Sequence, residues 1–486
     1  MAGDGRKTDN VKRGGRTKRV HMISLGCDKN LVDSEKTLGL LCKEGYSYTD
    51  DPYLADVILV NTCCFIRDAK DESVQTLLEM TDLKKEMGET APLLVVMGCM
   101  AERYKDEIQE TLPEVDVLVG TNSWQDITEI LKAHEEKVRL EEGDGDSAVS
   151  GAPVSAVHSG SFRDISANAF LEKPVRERFI TAGGHYAYLK IAEGCGKNCT
   201  YCIIPSLKGK FRSVPMEDLV EEAKRLAADG VKELILIAQE TTLYGMDLYG
   251  AKRLPALLEA LNAIDGIHWI RIMYCYPEEI TDELVDAIRR LPKVCHYLDI
   301  PIQHASDHIL RRMARRTTHD EIVARIRGLR EAVPDIVLRT TMISGFPGET
   351  DADHKILTEF VREMEFDRLG DFEYSREEGT AAAAFSHQVS AKVKGLRRAE
   401  IMEIQQQIAW KKAEQKVGTE LEVMIEGRLA DQDGSIYVGR TYMDAPDVDG
   451  LIYIDTNGRE FMTGDIVRAR VTGAHEYDLL GELTGA

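Results

Sequence analysis

Short, almost unbroken apolar runs alternate along this chain with amphipathic stretches of helical period, once over 19–140 and again from 181 onward. A strand that is apolar at nearly every position has both faces buried. That is the signature of a parallel sheet covered by crossover helices, not of a half-solvated antiparallel one. In the first series the runs are 20–25, 57–61, 93–97 and 115–119, with helical stretches at 34–43, 68–85, 102–110 and 125–134. This pattern predicts a doubly wound α/β domain. In the second series the runs are 186–192, 233–238, 269–274, 297–302, 337–344 and 369–374, with helices between them such as 216–228 and 279–290. Six βα units predict a partial (βα)6 barrel, two units short of a closed eightfold one.

A long helix over 391–417 follows, then short β runs at 421–426, 435–440, 451–454 and 466–471 separated by Gly and Asp turns. These predict a small C-terminal β-barrel, OB-like in character. Residues 1–18 have no hydrophobic period and are expected to form a disordered arm, and 141–180, rich in Gly, Ser, Ala and acids, reads as a linker. The expected modules are therefore 19–140, 181–416 and 417–486. A chain of 486 residues fits about three domains. It has no apolar run of the ~18 residues a membrane span needs and no secretory h-region, so a cytoplasmic location is expected. The net charge of −22 disfavours a generic polyanion binder.

Ten cysteines without an export signal point to metal binding or catalysis more than to a disulfide framework. Three stand together. Cys195, Cys199 and Cys202 form CxxxCxxC directly after the first strand of the second series. Three thiolates on one short loop can hold three irons of a four-iron cluster and leave the fourth open to a small chelating ligand. The competing reading is a structural zinc site, which needs a fourth protein ligand, and none stands nearby at usual spacing. Cys27, Cys63 and Cys99 are far apart in sequence, yet each follows one of the first three apolar runs. Strand ends of an open α/β sheet converge on one crevice, so these three predict a second cluster site, against the alternative of three separate buried thiols. Gly26 and Gly98 beside them suit a tight turn. Cys42, Cys275 and Cys295 fall in or beside predicted core elements, and Cys64 adjoins Cys63.

The spacing around Tyr201 and the position at a strand end resemble the radical S-adenosylmethionine (SAM) superfamily. The resemblance implies a 4Fe-4S cluster on this loop, with S-adenosyl-L-methionine chelated at its open iron and cleaved by one-electron reduction to methionine and a 5′-deoxyadenosyl radical; with the second predicted site the chain is expected to carry two 4Fe-4S clusters. It further implies that Tyr201 contacts the adenine, against the plainer reading of a packed loop aromatic, and that Gln239 and Glu240 lie near the SAM amino group. The stretches SLGCDKNLVDSE (24–35), NTCCFI (61–66) and MGCMAERY (97–104) resemble the methylthiotransferase family, whose N-terminal, radical SAM and TRAM modules run in this order. That resemblance implies Cys27, Cys63 and Cys99 as ligands of the second cluster, with Cys64 at a variable position.

Within the family, QETTLYGMDL (239–248), YLDIPIQHAS (297–306), RRTT (315–318), RTT (339–341) and GFPGET (345–350) are similar to the branch that modifies an aspartate of small-subunit ribosomal protein S twelve. The other branch modifies an adenosine beside the tRNA anticodon. Lys208 stands where an Arg is usual, and the linker is long. Residues 418–486 carry fourteen carboxylates against five arginines, which suits a basic protein partner better than RNA, the plain alternative being a solvated acidic surface. The implied partners are that ribosomal protein, free or within the 30S subunit, an electron donor and a sulfur donor.

Overall fold

The computed structural model describes residues 17–143, 177–181, 183–430 and 435–484. Nearly all of the expected N-terminal arm and most of the expected linker lie outside the described residues. The chain divides into two compact units, Met1–Phe179 with Ser206–Lys208, and Ile180–Pro205 with Gly209–Ala486. No described helix is long and apolar enough to cross a membrane.

The first unit holds a parallel sheet of β1 (Arg19–Ser24), β2 (Ser47–Tyr48), β3 (Val57–Thr62), β4 (Leu93–Gly98) and β5 (Val117–Val119) in the order β2-β1-β3-β4-β5. This is a doubly wound sheet, with its switch point between β1 and β3. Every residue of β3 is buried, as its unbroken apolar run requires. Val20, Leu59, Val95 and Val117 build the core with Leu38 and Leu41 of the helix Asp28–Lys43. Two-residue β2 carries too little pattern to be read from sequence. The helix expected at 102–110 begins at Cys99 and is broken at Tyr104, where ψ of 32° interrupts it, giving Cys99–Arg103 and Lys105–Thr111. The end of the expected linker belongs to this unit: the Phe179 amide donates to the Glu35 carbonyl, and Arg178 Nη2 lies 2.6 Å from buried Glu35 Oε2.

The second unit opens with β6 (Tyr186–Lys190), then β7 (Ala192–Glu193) and β8 (Arg212–Ser213), which pair as a small antiparallel ribbon. β9 (Glu233–Ile237), β10 (Trp269–Ile272), β11 (Val294–Asp299), β12 (Val337–Ser344) and β13 (Arg368–Glu373) follow β6 in strict sequence order in one all-parallel, six-stranded open sheet. That is the expected partial barrel. β11 starts three residues before its apolar run and stops before Pro301, which has no N–H for a ladder. The helix Ala391–Glu414 leads to a closed five-stranded barrel of β14 (Glu420–Arg428), β15 (Ile436–Arg440), β16 (Ile452–Asp455), β17 (Ile466–His475) and β18 (Asp478–Leu483). Closure is completed by β18, a strand with no run of its own in the sequence reading.

Charged side chains fasten this small barrel to the amino-terminal side of the parallel sheet. Glu233, at the start of β9, receives Arg271 Nε at 2.7 Å and Arg440 Nη1 at 2.8 Å. Arg440 also reaches Glu426 Oε1 at 2.5 Å, and Glu426 meets His185 Nε2 at 2.7 Å. Glu233, Arg271 and Arg440 are 0 %, 0 % and 1 % exposed. Burial alone would raise the Glu233 pKa, but the two guanidiniums hold it below the usual carboxylate range. A second set joins Asp449 to Tyr297 Oη at 2.7 Å and to Arg339 at 3.5 Å, and Asp444 to Arg368 at 2.5 Å. Three of the barrel's fourteen carboxylates are thus internal, so the barrel is not a free acidic appendage and its outer face is less acidic than the count implies.

Removing one member of a buried ionic set leaves its partners uncompensated, at a cost of about 3–5 kcal/mol. Arg440→Met should therefore lower the unfolding free energy by about that amount in urea titrations at neutral pH; a loss below about 1 kcal/mol would show that the set is hydrated. The depressed Glu233 pKa makes its contribution full at neutral pH and fading as pH falls through the folded-state value. Wild-type and variant stabilities should accordingly converge on acidification.

Candidate functional site

In the first unit, three cysteines end up at the carboxyl ends of neighbouring strands. Cys27 follows β1 and caps the helix Asp28–Lys43, Cys63 follows β3, and Cys99 opens the helix Cys99–Arg103 after β4. Gly26 has φ +87°, and a Cβ there would stand 2.7 Å from Cys63 Sγ, so only glycine lets the β1 turn approach that thiol. A polar web fixes the strand ends. Asn30 Nδ2 donates to the Leu25 and Thr62 carbonyls at 3.0 and 3.1 Å, Asn61 Nδ2 to the Asn30 carbonyl at 2.9 Å, and Thr62 Oγ1 to the Met97 carbonyl at 2.6 Å. The Cys63 amide donates to Ser73 Oγ at 3.0 Å. Cys63 and Cys99 are buried and Cys27 is exposed. Burial pushes the Cys63 thiol up to about 11, with Cys27 adding to the rise. Burial likewise raises Cys99, opposed by the Lys208 ammonium. Lys208 Nζ stands 3.4 Å from Asp33 Oδ2 within this unit, and Thr121 Oγ1 donates to the Leu207 carbonyl beside it.

In the second unit, β7 feeds straight into the loop Cys195–Cys202. A Cβ on Gly194 (φ +81°) would lie 2.2 Å from the Lys210 carbonyl oxygen, so the loop turns tightly against its own return strand. The Cys195 amide donates to the Gly209 carbonyl, the Cys202 amide to the Cys199 carbonyl, and the Lys197 amide to Cys195 Sγ at 3.4 Å. Burial pushes Cys202 up to about 12, and the nearness of Cys199 and Cys195 adds to the rise, so binding a metal there must release protons. Around the loop, Lys197 pairs with Glu279 at 2.5 Å and Glu278 at 3.4 Å, while Glu193 accepts from Lys190 Nζ at 2.8 Å and Gln239 Nε2 at 2.6 Å. Glu240 is buried, and that burial raises its pKa to about 7 although it accepts from the Thr242 amide. Tyr201 packs edge-on against Phe346 at 6.4 Å, within a cluster that includes Ile309, Met313 and Tyr374.

All ten cysteines are free thiols. Each triad is drawn into mutual electrostatic range, yet among the described residues no three His, Cys, Asp or Glu side chains close on one metal ion. Thiolates that share a zinc ion crowd round it, whereas thiolates of a four-iron cluster each take a separate iron. Cys64, Cys275 and Cys295 are buried in the core, and Cys42 is half-buried on its helix.

Several residues at the mouth of the parallel sheet had no role assigned from sequence. Tyr274 and Gln303, past the ends of β10 and β11, hold φ of 62° and 76°. Such left-handed backbone in bulky residues persists only where the surroundings impose it, and the Tyr274 amide donates to Asp299 Oδ2 at 3.0 Å. Tyr276 brings its hydroxyl within 3.7 Å of Cys199 Sγ, and Arg315 stacks over the Tyr276 ring. Tyr274 and Tyr276 were marked only by their place after a strand, and Gln303 and Arg315 only by lying within family-like stretches.

Comparison with known proteins agrees with this arrangement. Residues 19–120 match the Uncharacterized protein family UPF0004, 189–361 the Radical SAM superfamily and 417–484 the TRAM domain. The chain is 55 % identical over 463 residues to the ribosomal protein uS12 methylthiotransferase RimO of Lachnoclostridium phytofermentans, covering 95 % of this chain and 99 % of that protein. It is 45 % identical to RimO of Clostridioides difficile and 45 % to that of Geobacter sulfurreducens, each over 96 % of this chain and 98 % of the relative. Among solved structures, the cobalamin-dependent S-adenosylmethionine radical enzyme OxsB aligns with a TM-score of 0.52 at 14 % identity, over 79 % of this chain and 56 % of its own, a likeness of fold. On its near-full-length relatives, the chain belongs to the RimO family of ribosomal protein uS12 methylthiotransferases.

Proposed function

We propose that this protein adds a methylthio group to the β-carbon of an aspartate of ribosomal protein uS12, free or within the 30S subunit. The observation that carries this reading is the full-length similarity to uS12 methylthiotransferases together with two separate cysteine triads at strand ends. In this reading Cys195, Cys199 and Cys202 hold one 4Fe-4S cluster, and Cys27, Cys63 and Cys99 hold the other. When bound, the clusters supply reductive cleavage of SAM and a seat for the transferred sulfur, chemistry that acid–base side chains cannot deliver at an aliphatic C–H. The chain's own residues orient and shield. Gln239 and Lys190 fix the Glu193 carboxylate beside the loop, Glu240 offers a buried carboxyl for an ammonium group, and Tyr201 offers an aromatic wall for adenine. The module boundaries 19–140, 181–416 and 417–486 enclose the three family matches. The reaction needs an electron donor and a sulfur donor, and a substrate that is itself a ribosomal protein supports a cytoplasmic location.

Replacing Cys195, Cys199 and Cys202 with Ala should leave about half the iron and abolish 5′-deoxyadenosine release from SAM. Replacing Cys27, Cys63 and Cys99 should also leave about half, keep that release, and abolish methylthiolation of uS12 by mass spectrometry. Loss of all iron in either folded variant would mean that the sites are not independent.

Deletion of the C-terminal barrel is a poor test of docking, because it strips Arg271, Arg339 and Arg368 of partners. Surface reversal is cleaner. Glu460 and Glu476 are exposed, and Glu460→Lys with Glu476→Lys should slow uS12 association most at low salt, where exposed charges are least screened. Tight tRNA binding by the wild type, with no uS12 binding, would transfer the assignment to the tRNA-modifying branch.

A further inference from the structure

Arg315 is the one cation beside the cysteine loop of the second unit, among the described residues, that is buried and has no acidic partner within ion-pair distance. Its neighbours are accounted for: Lys190 pairs with Glu193, Lys197 with Glu278 and Glu279, and Arg339 with Asp299. Arg315 is 5 % exposed, and its Nη2 donates to the Pro301 carbonyl at 2.9 Å. Its Nε and Nη1 are buried with no hydrogen-bond partner. Desolvated guanidinium donors left unmade are costly, and native structures seldom keep them without a reason. The approach to Arg315 is itself strained. Ala314 holds φ of 57°, and the Arg315 amide returns to the Leu310 carbonyl at 2.9 Å, so the backbone is bent to bring this side chain inward.

The side chain arrives at the cysteine loop. The guanidinium carbon lies 4.1 Å from the Tyr276 ring centroid, and the Tyr276 hydroxyl is 3.7 Å from Cys199 Sγ. Tyr201, Cys199 and, beyond ion-pair distance, the Glu278 carboxylate already held by Lys197 are its other electrostatic neighbours. Stacked on Tyr276, the guanidinium keeps Nε and Nη1 free for a ligand. A fixed, always-charged planar donor suits a carboxylate or a phosphate. SAM carries a sulfonium, an ammonium and one carboxylate, so the carboxylate is the one group on it that a buried cation can neutralise.

We propose that Arg315 is the side chain that receives the carboxylate of SAM, with Tyr276 as the platform that holds the guanidinium in place. This rests on the reading that Cys195, Cys199 and Cys202 hold the cluster at which SAM binds. It makes Arg315 a binding residue for the cosubstrate.

The test compares SAM with decarboxylated S-adenosylmethionine by anaerobic equilibrium dialysis on iron-loaded protein, for wild type, Arg315→Gln and Arg315→Lys. Arg315→Gln should weaken SAM binding about tenfold or more while changing affinity for the decarboxylated compound by less than about twofold. Arg315→Lys should lower the preference for SAM by a smaller factor, about threefold or more. Iron content and the electron paramagnetic resonance signal of the reduced cluster, both unchanged, establish that the loop is intact. If Arg315→Gln loses iron, Arg315→Lys decides. A preference for SAM that stays at the wild-type value in the loaded variant overturns the proposal and leaves Arg315 as structural support for Tyr276. A wild-type protein whose cluster signal does not respond to SAM overturns the cluster assignment itself, a result separate from the first.

Discussion

Parallel β-sheets with crossover helices deliver every outgoing loop to the same edge, and both units of this chain exploit that constraint. In the first, thiols thirty-six residues apart at Cys27 and Cys63, and again at Cys63 and Cys99, become neighbours because β1, β3 and β4 lie side by side and in register. In the second, the loop after β7, the buried Glu240 after β9, the strained Tyr274 after β10 and the strained Gln303 after β11 all belong to one edge. Chemistry that needs several soft ligands and a few placed polar groups is thus gathered by topology and trimmed by a few left-handed turns such as those at Gly26, Tyr274 and Gln303.

The opposite edge of the second unit is built on another principle. There Glu233, Arg271, Arg440 and Glu426 form an ionic chain closed off from water, backed by Asp449 and Asp444 on Tyr297, Arg339 and Arg368. Burial works against these charges, and only mutual pairing retains them, as the raised pKa of Asp449 despite two nearby arginines illustrates. The apolar layer between helices and sheet, with Leu234, Leu236, Ile270 and Leu298 fully buried, supplies the non-directional part of stability. The ions supply direction, fixing which face of the small barrel meets the sheet.

Period and spacing made the strands, the six βα units and both cysteine triads readable, because burial on two faces and a ligand at each strand end leave marks in a single sequence. Features set by tertiary context left none. β2 and β18 are too short or too polar to display a run, yet pairing with β1 and β17 makes them strands. Charge counting over 418–486 treated every carboxylate as solvated, whereas Asp444 and Asp449 answer arginines far back in the chain. Arg315 was visible only as part of a family-like stretch. Its inward path depends on a left-handed Ala314, which no residue preference announces.

The ionic seam beneath the parallel sheet also bears on how freely the C-terminal module could be exchanged. A barrel of the same shape taken from another chain would bring its own loops, and unless these offered a carboxylate opposite Arg368, another within reach of Arg339 and a carbonyl for Arg271, the graft would leave Arg368 unpaired and buried N–H groups of the other two unmet. Inheritance of this module is thus tied to residues outside it. Arginines on three strands of one fold and a single acid-bearing loop of another form a lock that recombination must move as a set, so substrate-docking variety is more readily gained on the barrel's outward face than by replacing the barrel.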